Sequence, residues 1–423
     1  MPLNSLFLLI AWCKLTFNIV AVGMPFLKGK GAMMKLQRQT QPLQVMKIVR
    51  CSIYILWLLL AFASLFSSCK KGTDTAEKIV VAKTILVYME ANNDLRYDAL
   101  NSVNRMEKGA AGINGTLLVY IKTTSTKSYL LKIKPDADLN HLVSDTVKIF
   151  DNTLASNPQT VKQVTQYAQT EFPAQSYGLV LWSHATSWAP PVSKVKVQSF
   201  GEDSGKQMDV IDLKNALPDN LDYIIFDACS MGGVEICYEF KDKAKYIIAS
   251  PAETLSESFP YQNITPLLFG GTESLAAVAK AYFDYYNAYT DDRRSATVCL
   301  IKTSELPALA AEMKNLLSQK KPGDQFIRSS VQRLDYTQGF PVPNYDFGDF
   351  LNQNFAAGSL SAMNAQIGKT VVYKAATSNF IGVPINQFSG LTTYIPFTGD
   401  GNLTYYKKLQ WYSASGLSGL FGF

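Results

Sequence analysis

Histidine is nearly absent. The 423-residue chain carries two, His141 and His184, so any chemistry that needs an imidazole base has few places to sit. No HxxxH and no CxxC occurs, which leaves the usual ligand spacings of a zinc centre without occupants. The basic residues include isolated pairs, Lys70-Lys71, Lys320-Lys321 and Lys407-Lys408, with no interleaved aromatic pattern. The formal charge of +6 is therefore spread over a solvated surface and is no nucleic-acid footprint. There is no internal repeat and no low-complexity segment. Charged residues are few, at 17%, against 47% hydrophobic, which excludes a disordered chain and suits a globular domain with insertions.

Cysteine is also sparse, and its placement separates the N-terminus from the rest. From Met46, Lys47 and Arg50 precede a continuous apolar stretch, Ile53 to Phe66, and then Ser67, Ser68 and Cys69. This is a secretory signal layout. Its end, Leu65-Phe66-Ser67-Ser68-Cys69, is similar to a bacterial lipobox, with Phe66 as the departure. The expectation is a lipidated Cys69 and an exported, membrane-anchored protein. A plain transmembrane anchor is the alternative, though the stretch is short for a span. Residues 1–45 read as an upstream extension, 46–68 as the signal peptide and 69–78 as a polar tether. Lys70-Lys71-Gly72 carries no acidic run, which favours the periplasmic side. With Cys13 and Cys51 upstream and Cys69 lipidated, Cys229, Cys237 and Cys299 remain. That odd set in an exported protein predicts at least one free thiol.

Downstream, β-branched apolar runs alternate with helical spacing. Strands are expected at Ile79–Glu90, Gly115–Lys122, Tyr177–Ser183, Asp222–Asp227, Lys245–Ser250, Ala296–Lys302 and Leu391–Phe397, with Ser128–Lys134 as a hairpin partner. Helices are expected at Leu95–Met106, from Asn157-Pro158 to Phe172, and at Gly233–Phe240, Ser274–Tyr289, Glu305–Leu317 and Tyr405–Tyr412. Near-continuous apolar strands alternating with helices predict an α/β fold with a mostly parallel sheet covered on both faces. The 33-residue stretch 189–221, with Pro190-Pro191 and a polar run, is a long excursion between two strands.

Two strands of this sheet end in reactive residues. Cys229 follows the strand ending at Asp227 and precedes Gly232-Gly233 and a helix. The carboxyl edge of an open α/β sheet is where sites are built. A cysteine at a helix N-terminus is disposed toward thiolate, and the two glycines are expected to permit a tight turn. The bland alternative is a small buried core residue. A nucleophilic thiol needs a base within reach. His184, in LWSHATSW, ends a different strand at what should be the same edge, whereas His141 lies in a polar connection. The position of a phosphatase arginine, six residues after the cysteine, holds Glu235, which removes that reading.

Four ordered blocks then carry a family resemblance: TILVYMEANNDL (Thr84–Leu95), YGLVLWSHATSW (Tyr177–Trp188), IIFDACSMGGVEICYEF (Ile224–Phe240) and ASPAETLSESFPY (Ala249–Tyr261). The chain resembles the clostripain-like cysteine peptidases, relatives of caspases, gingipains and legumain. The resemblance implies a caspase-like domain over 79–290, with 291–423 completing the same unit. It implies an acyl-enzyme mechanism with Cys229 as nucleophile and His184 as general acid/base, and cleavage of a peptide or protein substrate after Arg or Lys. No cofactor is required on this reading. Asp227 and Glu257 are candidates to hold the basic side chain through charge-assisted bonds, with a strand-end cap as the alternative for Asp227.

Two departures bear on the oxyanion hole, expected from the N–H groups of Ala185 and Cys229. Ala185 stands where the family usually has glycine, and Ser187 where a second glycine is common. Alanine keeps the donor but tolerates φ > 0 poorly. Lys194, Lys196 and Lys206, in the excursion, are candidate self-cleavage points. Some relatives use calcium, and Glu202, Asp203 and Asp209 are the available acids, though ordinary loop charges are the simpler account. The competing readings are a degenerate lipoprotein that binds peptides or a partner, and an acyl transferase using the same dyad.

Overall fold

The first apolar run becomes β1 (Val81–Glu90), buried from Lys83 onward. Such a strand needs cover on both sides, because successive side chains point to opposite faces. Ile85, Val87 and Met89 enter one core, and Leu86 and Tyr88 the other. The computed structural model describes Trp57 and residues 78–188, 200–336 and 342–421. Cys69, Lys194, Lys196 and nearly all of the expected signal segment lie outside them.

β1 sits inside a nine-stranded sheet. Its further strands are β2 (Thr116–Lys122), β3 (Lys127–Lys132), β4 (Asp145–Asp151), β5 (Ala174–Trp182), β8 (Leu221–Asp227), β9 (Ala244–Ala249), β10 (Thr297–Lys302) and β12 (Val371–Ala376). The order is β12-β10-β9-β8-β5-β1-β2-β3-β4. The run β9-β8-β5-β1-β2 is parallel throughout, and antiparallel strands extend both edges. From β1 the chain moves outward to β2, then returns to the other side of β1 as β5. The carboxyl ends of β1 and β5 therefore flank a topological switch point.

Helices cover both faces. α1 (Arg96–Gly109), α5 (Tyr261–Leu268) and α6 (Thr272–Asn287) bury Val103, Ile264 and Val278 against one face. The other face receives α2 (Pro158–Glu171), α3 (Val210–Ala216), α4 (Val234–Glu239) and α7 (Leu306–Leu317), through Val164, Leu213, Ile236 and Leu309. The start of α2 follows its sequence signal: Asn157 caps it by accepting from the Gln159 N–H, and Pro158 opens the first turn. On the same face lie α8 (Phe347–Asn354) and α9 (Ser361–Thr370).

The late chain departs from expectation. Leu391–Phe397 is no full strand: only β15 (Thr392–Thr393) pairs, with β11 (Tyr345–Asp346). Its other backbone groups bond elsewhere. Thr392 N–H donates to the Gly232 carbonyl, Tyr394 N–H to the Glu235 carboxylate, and the Leu391 carbonyl accepts from Phe347 N–H. Tyr405–Tyr412 is split into α10 (Leu403–Tyr406) and α11 (Gln410–Ala414), because Gln410 N–H turns to the Glu239 carboxylate. Between β12 and β15 stands a small hairpin of β13 (Asn379–Phe380) and β14 (Val383–Pro384).

The described part of the excursion is structured. β6 (Phe200–Asp203) and β7 (Lys206–Met208) form a hairpin whose turn residues, Ser204 and Gly205, have φ of 55° and 74°. Asp209 caps α3 by accepting from the Ile211 and Asp212 N–H groups. Lys206 is exposed on this hairpin. Asp203 is buried against Lys122 at 2.9 Å, so its charge is already balanced. Of the three acids weighed as calcium ligands, Asp203 and Asp209 have separate side-chain partners, and no cluster of three or more metal-ligating side chains occurs among the described residues.

Candidate active site

Three strand ends meet in one cleft of about 340 Å³, which His184, Asp227 and Cys229 help to line. After β1 the chain turns at Asn92-Asn93. The Asn93 side chain accepts from Leu95 N–H at 2.9 Å and donates to the Glu90 and Glu202 carbonyls at 3.1 and 2.8 Å, a self-bonded turn typical of asparagine. Asn92 Nδ2 donates to Asp203 Oδ1 at 2.7 Å. These bonds set Asp94 beside His184, with Oδ1 2.7 Å from Nε2. The bond to His184 holds the Asp94 carboxyl below its usual range.

His184 is fixed from behind as well. Ser183 Oγ donates to the Glu90 carbonyl and accepts from Glu202 N–H, and the His184 carbonyl accepts from Gly201 N–H at 2.9 Å. In the neutral imidazole, Nε2–H donating to Asp94 leaves Nδ1 as the acceptor, since the partner of one ring nitrogen sets the tautomer. Sequence reasoning did not single out Asp94. The available signal was an acid just past β1, the central strand next to β5.

The residue after His184 resolves the alanine question. Ala185 is not left-handed; Ser187 is, at φ 60°. Alanine at 185 therefore carries no backbone penalty, and the conformation that glycine would favour belongs to Ser187. Ala185 faces Phe200 in an antiparallel bridge flanked by the bond from Gly201 N–H to the His184 carbonyl. In that register the Ala185 N–H points away from Phe200.

Cys229 differs from expectation in two ways. It does not stand at a helix N-terminus: α4 begins at Val234, and its N-cap is Gly233. The turn after the thiol is made by Ser230, at φ 59°, and neither Gly232 nor Gly233 has positive φ. Gly232 is required for a different reason, since a Cβ there would stand 2.7 Å from the Pro251 nitrogen. Burial pushes the Cys229 thiol up, partly offset by its bond from Thr254 N–H at 3.3 Å. The thiol thus rests against Thr254, and burial favours its protonated form.

Asp227 lies at the floor of the cleft. Its Oδ2 accepts from Ser258 Oγ, from Tyr261 OH at 2.7 Å and from Phe259 N–H at 3.5 Å. Trp182 Nε1–H donates to Ser258 Oγ, so the indole wall and the acid are joined through one hydroxyl. Burial still lifts the Asp227 carboxyl to about 6. Glu257 is not among the residues lining the cleft; its backbone carbonyl accepts from Arg105 at 3.0 Å. Its neighbours Ser256 and Ser258 line the cleft instead, together with Tyr336, Phe380, Ile381 and Val383 from the late chain. His141 is exposed beside Asp138, 3.1 Å away, and belongs to no site.

Comparison with known proteins bears on the family and the fold. The chain is similar to a solved inactive zymogen C11 protease from Parabacteroides distasonis, at 30% identity and TM-score 0.70, over 80% of this chain and 99% of that one. It is also similar to a secreted C11 cysteine protease from Bacteroides thetaiotaomicron solved with an irreversible peptide inhibitor, at 26% identity and TM-score 0.70, over 80% and 99% of the two chains. Among curated proteins none matches. The family model described as the clostripain family matches residues 87–409, from within β1 to the residue before α11, and the chain belongs to that family of cysteine peptidases.

Proposed function

We propose that the chain is an endopeptidase that cuts after Arg or Lys, with Cys229 as nucleophile, His184 as general acid/base and Asp227 as the acid that receives the basic side chain. The observation that carries this reading is the single cleft that Cys229, His184 and Asp227 line together. A buried carboxylate with hydroxyl and N–H donors on one oxygen offers a cation a charge-assisted bond in a site with little competing water. Trp182 gives the aliphatic stem of Arg or Lys an apolar wall.

The chemistry follows from the protonation states. His184 Nδ1 takes the thiol proton as Sγ attacks the scissile carbonyl carbon. The oxyanion that forms is met by the N–H groups of Ala185 and Cys229. Collapse breaks the C–N bond, and Nδ1–H gives its proton to the leaving amine. Water then attacks the thioester, again with His184 as base, releasing the acid and restoring the thiol. Asp94 touches no substrate atom in this scheme; it is a positioning residue that holds the imidazole tautomer and orientation.

The test is hydrolysis of peptide reporters ending in Arg, Lys, Ala or Glu before the leaving group, by the full chain and by Cys229→Ala. Cleavage after Arg and Lys by the parent alone supports the assignment. Equal turnover by both proteins, or no basic preference, refutes it. Export with Cys69 as a lipid anchor on the periplasmic side is part of the same proposal. Incorporation of radiolabelled fatty acid that survives in Cys69→Ser would overturn that part.

A further inference from the structure

The cleft has a second end that the chemistry above does not use. The loop Glu253–Ser258 runs along it, and its contacts fix an order. Ser258 bonds to Asp227, and Thr254 touches the Cys229 thiol. At the other end, Glu253 Oε1 accepts from Tyr336 N–H at 2.8 Å. The thiol therefore lies between an acidic end and an end bounded by Tyr336.

That far end is apolar and rigidly held. Phe380 is buried and stacks on Tyr336, with ring centres 5.1 Å apart and planes 12° from parallel. The β13–β14 hairpin carries Ile381-Gly382 at its tip, with φ of 43° and 76°. Two left-handed residues make a tight hairpin turn, but a β-branched residue in that region is a genuine outlier. Asparagine or glycine is the usual occupant. Ile381 is kept there by its N–H bond to Ser295 Oγ at 2.7 Å, and Ser295 Oγ donates to the Asp292 carbonyl. The side chain so presented is 53% exposed, and Val383 beside it is 42% exposed; both line the cleft. An unfavoured backbone that displays an apolar side chain into an active-site cleft points from strain to function.

We infer that Tyr336, Phe380, Ile381 and Val383 form a second substrate subsite, which takes an uncharged apolar side chain on the residue immediately amino-terminal to the one at Asp227. This rests on the proposed endopeptidase reading. With a basic side chain at Asp227 and its carbonyl at Cys229, the rest of the cleft lining, at Tyr336, is left for a neighbouring substrate residue, assigned as the preceding one. The apolar surface there gains by covering Ile381 and Val383. The Glu253 carboxylate at the same end sets that subsite against an acidic side chain.

The experiment crosses reporter peptides bearing Arg, Ala or Glu next to the leaving group with Leu, Gly or Asp one residue earlier, using the full chain. Leu over Gly is expected to raise kcat/KM by roughly tenfold or more, and Asp to fall below Gly. The double variant Ile381→Gly/Val383→Ser removes the apolar tip. Glycine suits the left-handed position, so folding is retained. Its Leu-to-Gly ratio in kcat/KM is expected to fall to near one. A flat response at the earlier position in the parent, or a ratio unaltered in the double variant, overturns this inference and leaves the basic-pocket reading intact. Loss of the Arg preference with the Leu preference kept does the reverse, and no turnover of any peptide overturns both.

Discussion

Replacing Asp227 with Asn separates what this acid does for binding from what it costs the fold. In the folded chain its carboxyl is lifted from 3.8 to about 6 by burial. Each pH unit between those values is worth about 1.36 kcal/mol. The folded state therefore favours the protonated form, and stability is full below about pH 4 and lost as pH rises through about 6. Ionised Asp227 costs the fold roughly 3 kcal/mol at pH 8 on this reckoning. Asparagine has the same shape, accepts from Ser258 and Tyr261, and stays neutral. Groups that titrate in both proteins cancel in the difference. The unfolding free energy of Asp227→Asn minus that of the parent should accordingly grow by about 3 kcal/mol between pH 4 and pH 8, read by urea unfolding at several pH values. Over the same range the parent's kcat/KM on an Arg reporter should climb through about pH 6, because only the ionised acid attracts the cation. The variant should lose roughly two to three orders of magnitude on that reporter at pH 8. A stability difference that does not change with pH, or an Arg preference that survives in Asp227→Asn, would refute the reasoning.

Further outcomes follow from individual positions. Asp94→Ala should lower kcat about tenfold or more with little change in KM, because the imidazole loses its anchor but the cleft is intact; an unchanged kcat counts against the positioning role. Ser187→Gly should raise stability by about 1 kcal/mol in thermal unfolding, since it removes both a left-handed residue and a buried hydroxyl with no bonding partner among the described residues. Gly232→Ala should cost about 1–3 kcal/mol, because the new methyl has nowhere to go against the Pro251 backbone; wild-type stability in that variant would show that the turn can shift.

Much of the fold was legible because the strands are apolar on both faces. Runs such as Ile224–Phe226 and Leu179–Trp182 permit no other placement in a chain with so few charges, and the Asn157-Pro158 cap fixed a helix start. The placement of His184 and Cys229 in one cleft followed from strand ends at one sheet edge. Other features were invisible because they depend on contacts far apart in sequence. Asp94 is 90 residues from His184, and Tyr336 meets Glu253 across 83. Leu391–Phe397 looked like a strand since its composition is right; its backbone partners, Gly232, Glu235 and Phe347, decide otherwise. The expected role of Gly232-Gly233 failed for a related reason. Sequence shows that a small residue is present, but not whether the need is an unusual φ, which fell to Ser230, or room for Pro251.

The adjacency of β5 and β8 has a consequence for covalent connectivity. His184 leaves one strand and Cys229 the other, and the only polypeptide route between them passes through residues 189–199. Opening the backbone anywhere in that interval would leave one polypeptide carrying His184 and a second carrying Cys229. The two would still be stitched by the Gly178–Trp182 pairing with Tyr223–Asp227, by the Ala185–Phe200 bridge and by Asn92 to Asp203. The cleft thus lies along an internal seam, with His184 on one side of residues 189–199 in the sequence and Cys229 on the other.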